Sequence, residues 1–452
     1  MRKEYERYKP TGIEWISQIP AHWKVSPIKR IFDVFTGATP DSNNPEYWNG
    51  EMVWITPADF NSKQKYIKTG KKFITKEGYL SCATRLVPSE SIIFSKRAPV
   101  GKVVIAKKEM CTSQGCLSCV KKQDSNANEL FFYYSFLTVE KWFNAIAAGT
   151  IFNEIGTAVF SNTKILVPPR SEQDQIARFL DWKVSSINKL INTLRKKKSL
   201  LRELQRRNNN EAMCPKEGWT SGPLKKYALS NRESLSANTP HDTQIRYIDI
   251  STVGNGYLKA APVTYVFKDV PLRARRVVHS GDTIISTVRT YLRSVCFLPE
   301  QYEGDIASTG FSVLTPKRGV MPELLGYALT SDNFISQVIK ESIGVSYPAI
   351  SDNKLMRLKV VFPSNPSEQK CLVERIYNMN QLTNSVIKTT ESQIDSLQDL
   401  KIRLIADTVT GKIDVRGIEI PEFKFVDEDA DEDRENSSED KTSEDLDFDG
   451  EE

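Results

Sequence analysis

Two long stretches of the chain carry apolar residues at a spacing typical of helices. In the first stretch, the apolar positions are Leu180, Val184, Ile187, Ile191, Leu194, Leu201 and Leu204, four of which fall seven residues apart. In the second, they are Ile376, Ile387, Ile394, Leu397, Leu404 and Ile405. A seven-residue spacing is typical of a helix that packs on another helix. We therefore predict long helices over 170–212 and 366–411 that pair with each other, the alternative being that each helix packs on its own domain.

The regions before each long helix have a different pattern. Short runs of β-branched and aromatic residues, such as 91–94, 102–106 and 359–362, are separated by Gly, Pro and Asn. Such runs predict strands bounded by turns. The sequence thus predicts an α+β protein with two mixed α/β domains, over 1–169 and 213–365.

The two regions repeat each other at an offset of about 196 residues. Pro27-Ile28-Lys29-Arg30 returns as Pro223-Leu224-Lys225-Lys226, and Ser171-Glu172-Gln173 returns as Ser367-Glu368-Gln369. The segments that begin at Val53 and Arg85 correspond to segments of the second region that begin at Arg246 and Arg276. Four agreements in the same order indicate an internal repeat, which determines how the whole fold is interpreted.

The charge of the chain is unevenly distributed. From Asp427 to Glu452 there are 15 acidic residues against Arg434 and Lys441, a net charge of −13, so the chain total of +5 leaves +18 on residues 1–426. A strongly basic body favours a polyanionic partner, because each Lys or Arg that neutralises a phosphate releases a counterion. The segment 412–452 is interpreted as a tail that is acidic and disordered from about residue 427.

Several classes of protein are disfavoured by the sequence. It has no apolar run of eighteen residues and no signal-peptide pattern, so we expect a cytoplasmic protein without a membrane partner. Seven cysteines without a regular framework indicate reduced thiols. Cys111, Cys116 and Cys119 resemble part of an iron-sulfur motif, but a fourth ligand is missing nearby, and we predict no metal site.

The stretch DVFTGATPDSNNPEYW at 33–48 resembles two motifs of DNA adenine methyltransferases. Each match lacks one residue: Thr39 stands in place of a glycine and Glu46 in place of a proline. In those enzymes several βα units separate the motifs, whereas only residues 38–43 lie between them here. The sequence also has no phosphate-binding Gly-x4-Gly-Lys-Ser/Thr loop. We therefore predict a protein without catalytic residues of its own.

The arrangement of the motifs resembles the specificity subunit of type I restriction-modification systems. The resemblance rests on the repeat, on Tyr8-Lys9-Pro10-Thr11-Gly12-Ile13-Glu14-Trp15, on the 36–48 loop and on Val409-Thr410-Gly411-Lys412-Ile413-Asp414-Val415. It covers about residues 8–418 and leaves out the acidic tail. It implies two target recognition domains, over 1–169 and 213–365, separated by two long antiparallel coiled-coil helices with pseudo-two-fold symmetry, and it gives the 36–48 loop a scaffold role.

The resemblance also implies partners and cofactors. The chain is expected to bind double-stranded DNA at a bipartite, asymmetric target and to recruit two modification (methyltransferase) subunits and restriction/translocase subunits. S-adenosylmethionine, ATP and Mg are expected in those partners and not in this chain. Two alternatives remain open: a self-contained DNA adenine methyltransferase with duplicated recognition domains, and a repeat scaffold that binds acidic proteins.

Loops at equivalent places in the two regions are the predicted DNA-binding sites. Arg pairs with guanine and Asn or Gln with adenine, while Lys, Ser and Thr hold phosphates. In the first region the candidates are Lys96, Arg97, Ser113, Gln114, Thr150 and Asn153. In the second they are Arg289, Thr290, Tyr291, Arg293, Ser308, Thr309, Ser346 and Tyr347. Different side chains on a shared frame predict two different half-sites.

Overall fold

The computed structural model describes residues 4–61, 64–97, 100–140, 142–143, 154–236, 238–345 and 347–428. These residues form two compact units, one made of 4–195 with 392–428 and the other of 196–391. Both units contain helices and strands, so the predicted mixed α/β class is confirmed. Among the described residues, no helix is both long and apolar enough to cross a membrane.

The first unit consists of short strands and helices that precede a long helix. Its strands are β1 (Tyr8–Ile13), β2 (Ile16–Pro20), β3 (Lys24–Pro27), β4 (Phe32–Thr36), β5 (Trp48–Ile55), β6 (Tyr66–Ile67), β7 (Lys72–Ile74), β8 (Ile92–Ser95), β9 (Val103–Ala106), β10 (Cys111–Thr112), β11 (Cys116–Lys121) and β12 (Lys164–Val167). Its short helices are α1 (Lys76–Leu80), α2 (Glu129–Thr138) and α3 (Thr157–Asn162), and its 3-10 turns are Ile28–Arg30, Pro45–Tyr47 and Pro57–Asp59.

The main sheet of the first unit has the strand order β4-β11-β8-β9-β6, and a second sheet has the order β10-β5-β7. Strands β4, β11, β8 and β9 are antiparallel to one another, while β6 runs parallel to β9 and β10 runs parallel to β5. Every residue of β8 and β9 is buried. Burial on both faces explains why these strands are continuous apolar runs and do not alternate with polar residues.

The second unit contains β13 (Trp219–Pro223), β14 (Ala228–Ser230), β15 (Gln244–Ile248), β16 (Val263–Val266), β17 (Ala274–Val277), β18 (Thr283–Ser286), β19 (Val295–Phe297), β20 (Ile306–Ser308), β21 (Phe311–Pro316) and β22 (Lys359–Pro363). Its short helices are α5 (Pro322–Thr330), α6 (Asp332–Glu341) and α7 (Asp352–Leu355), and its 3-10 turns are Leu224–Lys226, Ile250–Thr252, Phe267–Asp269, Thr290–Leu292 and Glu300–Tyr302. The main sheet has the order β14-β21-β18-β19, and the second sheet has the order β16-β15-β20-β17. Strand β20 is parallel to β15, as β10 is to β5 in the first unit.

The long helices are α4 (Arg170–Ala212) and α8 (Pro366–Val409), and each contributes residues to both units. In the first unit, Ile187 and Ile191 pack on Ile394. In the second unit, Lys198 lies 3.7 Å from Glu391, and Gln205 donates to Thr383 at 3.0 Å. Residue numbers increase along α4 while those of the contacting residues on α8 decrease. The two helices are therefore antiparallel in the second unit. Leu204, included in the predicted apolar stripe, is exposed to 44%.

The Ser-Glu-Gln motif attaches each long helix to its own unit. The Gln173 side chain accepts from the Asn128 N–H at 2.9 Å and donates to the Pro168 carbonyl at 2.8 Å. Gln369 accepts from the Met321 N–H and donates to the Pro363 carbonyl, both at 3.0 Å. Asn128 and Met321 cap α2 and α5, so in both units a buried glutamine joins the start of the long helix to the start of a short one.

Residues 412–428, which we name the C-terminal strap, run back along α4 within the first unit. Gln175, Ser185, Asn188 and Asn192 hydrogen-bond to main-chain groups of strap residues between 415 and 427 at 2.7–3.1 Å. Glu428 is buried between Arg195, at 2.5 Å, and Lys401. The acidic run predicted to be disordered from about residue 427 therefore begins with residues that make specific contacts.

Candidate nucleic-acid interface

Four strand ends of the first unit meet in one group of loops, here named the first loop cluster (residues 36–40, 55–57, 95–97 and 112–115). The Ala38 N–H donates to the Thr112 carbonyl at 3.0 Å, and the Ser113 N–H donates to the Ile55 carbonyl at 2.9 Å. The Lys96 N–H donates to the Gly115 carbonyl, also at 2.9 Å. These main-chain bonds fix the loops to the ends of the strands and bring the 96–97 and 113–114 candidates together.

The 33–48 stretch that resembles methyltransferase motifs contributes to this cluster as a scaffold. A Cβ atom at Gly37 would lie 1.9 Å from the Thr112 carbonyl oxygen, so only glycine allows this close approach. The Trp54 indole donates to the Ala38 carbonyl at 2.9 Å, and Asn44 caps the Pro45–Tyr47 turn by accepting from the Glu46 N–H. These contacts give Gly37, Ala38 and Asn44 structural roles in the loops.

The two basic candidates of the first loop cluster share one carboxylate. The Lys96 ammonium lies 2.7 Å from Glu154 Oε1, and Arg97 Nε lies 2.7 Å from Glu154 Oε2. Burial alone would raise the pKa of Glu154, but its bonds to Lys96 and Arg97 outweigh burial and lower that pKa. Lys96 is buried, whereas about half of the Arg97 side chain is exposed. Arg97 is therefore better placed than Lys96 to reach a ligand.

The other described candidates of the first unit differ in exposure. Ser113 is buried, and its hydroxyl accepts from the Gly115 N–H at 3.3 Å. Gln114 is exposed, and its Oε1 accepts from the Thr39 hydroxyl at 2.5 Å, which leaves the amide NH₂ directed away from this bond. Thr150 and Asn153 lie outside the described residues. Gln114 is thus the side chain of this group that can read an acceptor on a base edge.

The second unit forms an equivalent group, here named the second loop cluster (residues 286–294, 308–310, 342–345 and 347–350). The Thr287 N–H donates to the Gly310 carbonyl at 2.8 Å, as Lys96 does to Gly115. The Thr287 carbonyl accepts from the Ile350 N–H at 2.8 Å, as the Lys96 carbonyl accepts from Ile155 at 2.9 Å. The two clusters therefore share one main-chain frame.

The side chains on the frame of the second loop cluster differ from those of the first. Arg289 is largely buried, and its guanidinium lies 4.6 Å from the centre of the Tyr347 ring. Thr290 is buried and bonds to the Ser342 hydroxyl at 2.7 Å, while Arg293 bonds to Asp332. Tyr291 is half exposed. Arg289 and Arg293 both have positive φ angles, 48° and 55°, which fold the loop into a tight turn.

The remaining candidates of the second unit lie beside this turn. Ser308 is fully buried and accepts from the Gly310 N–H at 3.2 Å, in the same way as Ser113 accepts from Gly115. Thr309 is exposed, and its N–H donates to the Arg273 carbonyl at 2.7 Å. Tyr347 is exposed at the rim of the cluster, and Ser346 lies outside the described residues. The buried serines therefore shape the loops, while Thr309 and Tyr347 face solvent.

Two arginines that were not among the residues predicted from the sequence also lie near the clusters. Arg85 is exposed and lies with its guanidinium 5.0 Å from the Phe35 ring, next to the first loop cluster. Arg273 lies beside Thr309 and is 3.6 Å from Asp249. Arg85 opens a segment that marks the repeat, which was a usable signal. Arg273 is distant in sequence from Thr309, and only the pairing of β17 with β20 brings the two together.

The chemistry available in these clusters is that of binding. Within the described part of the chain, no group of three or more His, Cys, Asp or Glu side chains is arranged to hold a metal ion. Burial raises the pKa of Cys111 to about 11 and that of Cys116 to about 12, so both remain protonated thiols at neutral pH. The exposed groups are guanidinium, amide, hydroxyl and phenol groups, which recognise base edges and phosphates.

Comparison with known proteins points to one family. Residues 20–205 match the family model described as "Type I restriction modification DNA specificity domain". The MjaIX specificity subunit of a type I restriction enzyme from Methanocaldococcus jannaschii is 32% identical over 190 residues, 42% of this chain and 43% of that protein. The MjaVIII specificity subunit of the same organism is 23% identical over 425 residues, 89% of this chain and 95% of that protein.

A solved chain described under complex assembly and conformational transition of the type I R-M system shares the fold. It has a TM-score of 0.50 and 16% identity, and the match covers 87% of this chain and 99% of that one. This likeness shows a shared mixed α/β fold. The chain is therefore similar to type I restriction-modification specificity subunits, and residues 20–205 carry the match to the family model. Its match to the MjaIX subunit spans less than half of that protein, whereas its match to MjaVIII spans nearly all of it.

Proposed function

We propose that this chain is the DNA-recognition subunit of a type I restriction-modification complex and reads a bipartite, asymmetric target. The observation that carries the proposal is the shared main-chain frame of the two loop clusters. Lys96 and Thr287 make equivalent bonds to Gly115 and Gly310, yet the side chains around them differ. One frame with two sets of side chains is suited to reading two different sequences. The charge of +18 on residues 1–426 supplies attraction to phosphates.

The proposed architecture has two target recognition domains, over 1–169 and 213–365, joined by the antiparallel pair of long helices as a coiled coil. The equivalent strand orders of the two main sheets support an internal repeat. Direct repeats joined by antiparallel helices acquire a pseudo-two-fold axis, which would turn both recognition faces toward one duplex. The helices would then set the length of the unread spacer between the half-sites.

Catalysis and translocation are assigned to partners. Two modification subunits would bring S-adenosylmethionine, and restriction/translocase subunits would bring ATP and Mg. In the described loop clusters, hydrogen bonds within the protein account for the residues that resemble methyltransferase motifs. We therefore propose that the chain itself binds none of these cofactors.

Selection from a library of randomised DNA duplexes by the full-length chain tests the proposal. We expect two short conserved blocks, different from each other and separated by a fixed number of unselected base pairs. The salt dependence of binding to the selected duplex reports the number of phosphate contacts. Enrichment of no sequence would contradict the proposal and would favour a scaffold for acidic proteins.

The alternative of a self-contained adenine methyltransferase is tested separately. Equilibrium dialysis of the full-length chain against radiolabelled S-adenosylmethionine, with and without the selected duplex, measures cofactor binding directly. We expect no saturable binding. Stoichiometric binding by the isolated chain would establish the alternative.

A further inference from the structure

One carboxylate of the second unit joins a long helix to the second loop cluster. Asp332, the first residue of α6, accepts from Arg293 and from Arg206 Nη1, which lies 2.7 and 2.5 Å from its two oxygens. Asp332 also accepts from the Asn210 amide at 2.7 Å, and its own N–H donates to Asn210 Oδ1 at 2.8 Å. Arg206 and Asn210 belong to α4. Arg293 ends residues 289–293, here named the arginine-bearing turn.

The arginine-bearing turn has a backbone shape that its own residues do not favour. Arg289 and Arg293 bracket a 3-10 turn, and both have left-handed φ angles, 48° and 55°. Residues other than glycine keep this conformation where the surrounding structure fixes them. Thr290 bonds to the Ser342 hydroxyl at 2.7 Å, directly after the end of α6. Arg293 bonds to Asp332 at the start of the same helix, so α6 holds both the start and the end of the turn.

The Asp332 side chain acts on the turn through its charge and its geometry. Burial would raise the pKa of Asp332, but its bonds to Arg293 and Arg206 outweigh burial and lower that pKa, so the carboxylate is ionised at neutral pH. The side chain is 42% exposed, and water therefore weakens the attraction. Its two oxygens nevertheless hold both guanidinium groups in one arrangement. Loss of the charge should therefore change the shape of the turn more than the stability of the unit.

These contacts assign Asp332 a role in reading DNA, although the loop candidates do not include it. We propose that Asp332 is a positioning residue for the half-site that the second unit reads; this inference rests on the proposed function. Asp332 orients the arginine-bearing turn by holding Arg293, and α4 orients Asp332 through Arg206 and Asn210. Discrimination between bases depends on closely positioned contacts, whereas attraction to phosphates depends mainly on charge. A displaced turn should therefore lose discrimination while the chain keeps most of its affinity for DNA.

Competition binding of the full-length chain to the selected duplex and to duplexes with single base-pair changes tests this role. Asp332→Asn removes the charge and keeps the size of the side chain. We expect it to lower discrimination about tenfold within one half-site and to leave the other half-site unchanged. Arg206→Gln should lower discrimination at the same base pairs by a smaller factor. The double variant should match Asp332→Asn alone, because both substitutions break one linkage between α4 and the turn.

Glu203→Gln is the matched control, since Glu203 lies on α4 and bonds to the same Arg206 guanidinium at 2.8 Å. This substitution also removes a carboxylate without a change of size, but it leaves the contacts of Asp332 in place. It should therefore keep full discrimination in both half-sites. If the Asp332→Asn variant does not fold, the comparison of Arg206→Gln with Glu203→Gln decides the question.

Three results would overturn the proposal. The first is full discrimination by Asp332→Asn or by Arg206→Gln, or an equal loss in Glu203→Gln. The second is a loss in Asp332→Asn confined to one base pair that Arg206→Gln does not affect, which would indicate a direct contact of Asp332 with a cytosine amino group. The third is a double variant whose loss is the product of the two single losses. Failure of the proposed function appears earlier, as a wild-type chain that selects no sequence.

Discussion

Replacement of Glu428 by Gln should destabilise the first unit through the C-terminal strap. The Glu428 side chain is buried, and it neutralises both Arg195 and Lys401. Glutamine keeps the size of the side chain but removes the negative charge that both cations contact.

The magnitude follows from the burial of the three groups. Removal of one partner from a buried ion pair costs about 3–5 kcal/mol. The Arg195 and Lys401 side chains retain 13% and 20% of their exposure. Because water relieves part of that cost there, we expect the free energy of unfolding to fall by about 2–3 kcal/mol.

Urea unfolding followed by tryptophan fluorescence measures this loss. Six of the seven tryptophans lie in the first unit, and only Trp219 lies in the second. Fluorescence therefore reports mainly the unit that the strap stabilises. Glu422→Gln, an exposed glutamate on the same strap, is the matched control and should change stability by less than about 0.5 kcal/mol. A Glu428→Gln variant as stable as this control would refute the reasoning.

The effect should also depend on pH in a defined direction. Burial would raise the pKa of Glu428, but its bonds to Lys401 and Arg195 outweigh burial and lower that pKa. A carboxyl group whose pKa is lower in the folded state stabilises the fold above its unfolded pKa, about 4.3 for Glu. That contribution is lost as the pH falls through the folded pKa. The difference between wild type and Glu428→Gln should therefore be full at pH 7 and shrink below about pH 4.

Other predictions concern the loop clusters and the helices. Arg289→Ala should relax one half-site only, by roughly 1–3 kcal/mol of discrimination in competition binding, whereas an equal loss on all sequences would indicate a phosphate contact. Insertion of four residues near Lys197 adds about 6 Å of helix and should lengthen the spacer by roughly one or two base pairs at ~3.4 Å each. Methylation-site mapping with the partner subunits measures that spacer, and altered half-sites with an unchanged spacer would contradict the proposed architecture. Gln173→Ala should lower the free energy of unfolding by about 1–3 kcal/mol, because it leaves the Asn128 N–H and the Pro168 carbonyl without the glutamine that bonds to both. Urea unfolding followed by tryptophan fluorescence measures this loss, and an unchanged midpoint would mean that water replaces the glutamine.

The apolar face of the long helices could be read from the sequence because a helix that packs on another repeats every seven residues. Ile187, Ile191 and Ile394 are buried together, as that spacing indicates. The C-terminal strap could not be predicted in the same way. The residues of α4 that hold it, such as Ser185, Asn188 and Asn192, are polar and would normally be assigned to solvent, yet all three are buried against main-chain groups of the strap.

The candidate DNA-binding residues could be predicted by loop but not by exposure. The repeat indicated which loops correspond, because it aligns strand ends. Whether a side chain faces outward depends on partners that are remote in sequence, such as Glu154 beside Lys96 or Asp332 beside Arg293. Sequence spacing does not encode those partners, so the sequence predicts the buried Lys96 and the exposed Gln114 alike.

The long helices also determine which parts of the protein unfold together. Residues 170–195 of α4 belong to the first unit and the rest of the helix to the second, and α8 is divided between the same two units. Helical turns form and melt cooperatively. Unfolding of either unit should therefore also melt the adjoining turns of α4 and α8 that belong to the other unit. The groups of amides that exchange hydrogen together should therefore extend across Arg195 and Lys196, so that the segments that open together are larger than either compact unit.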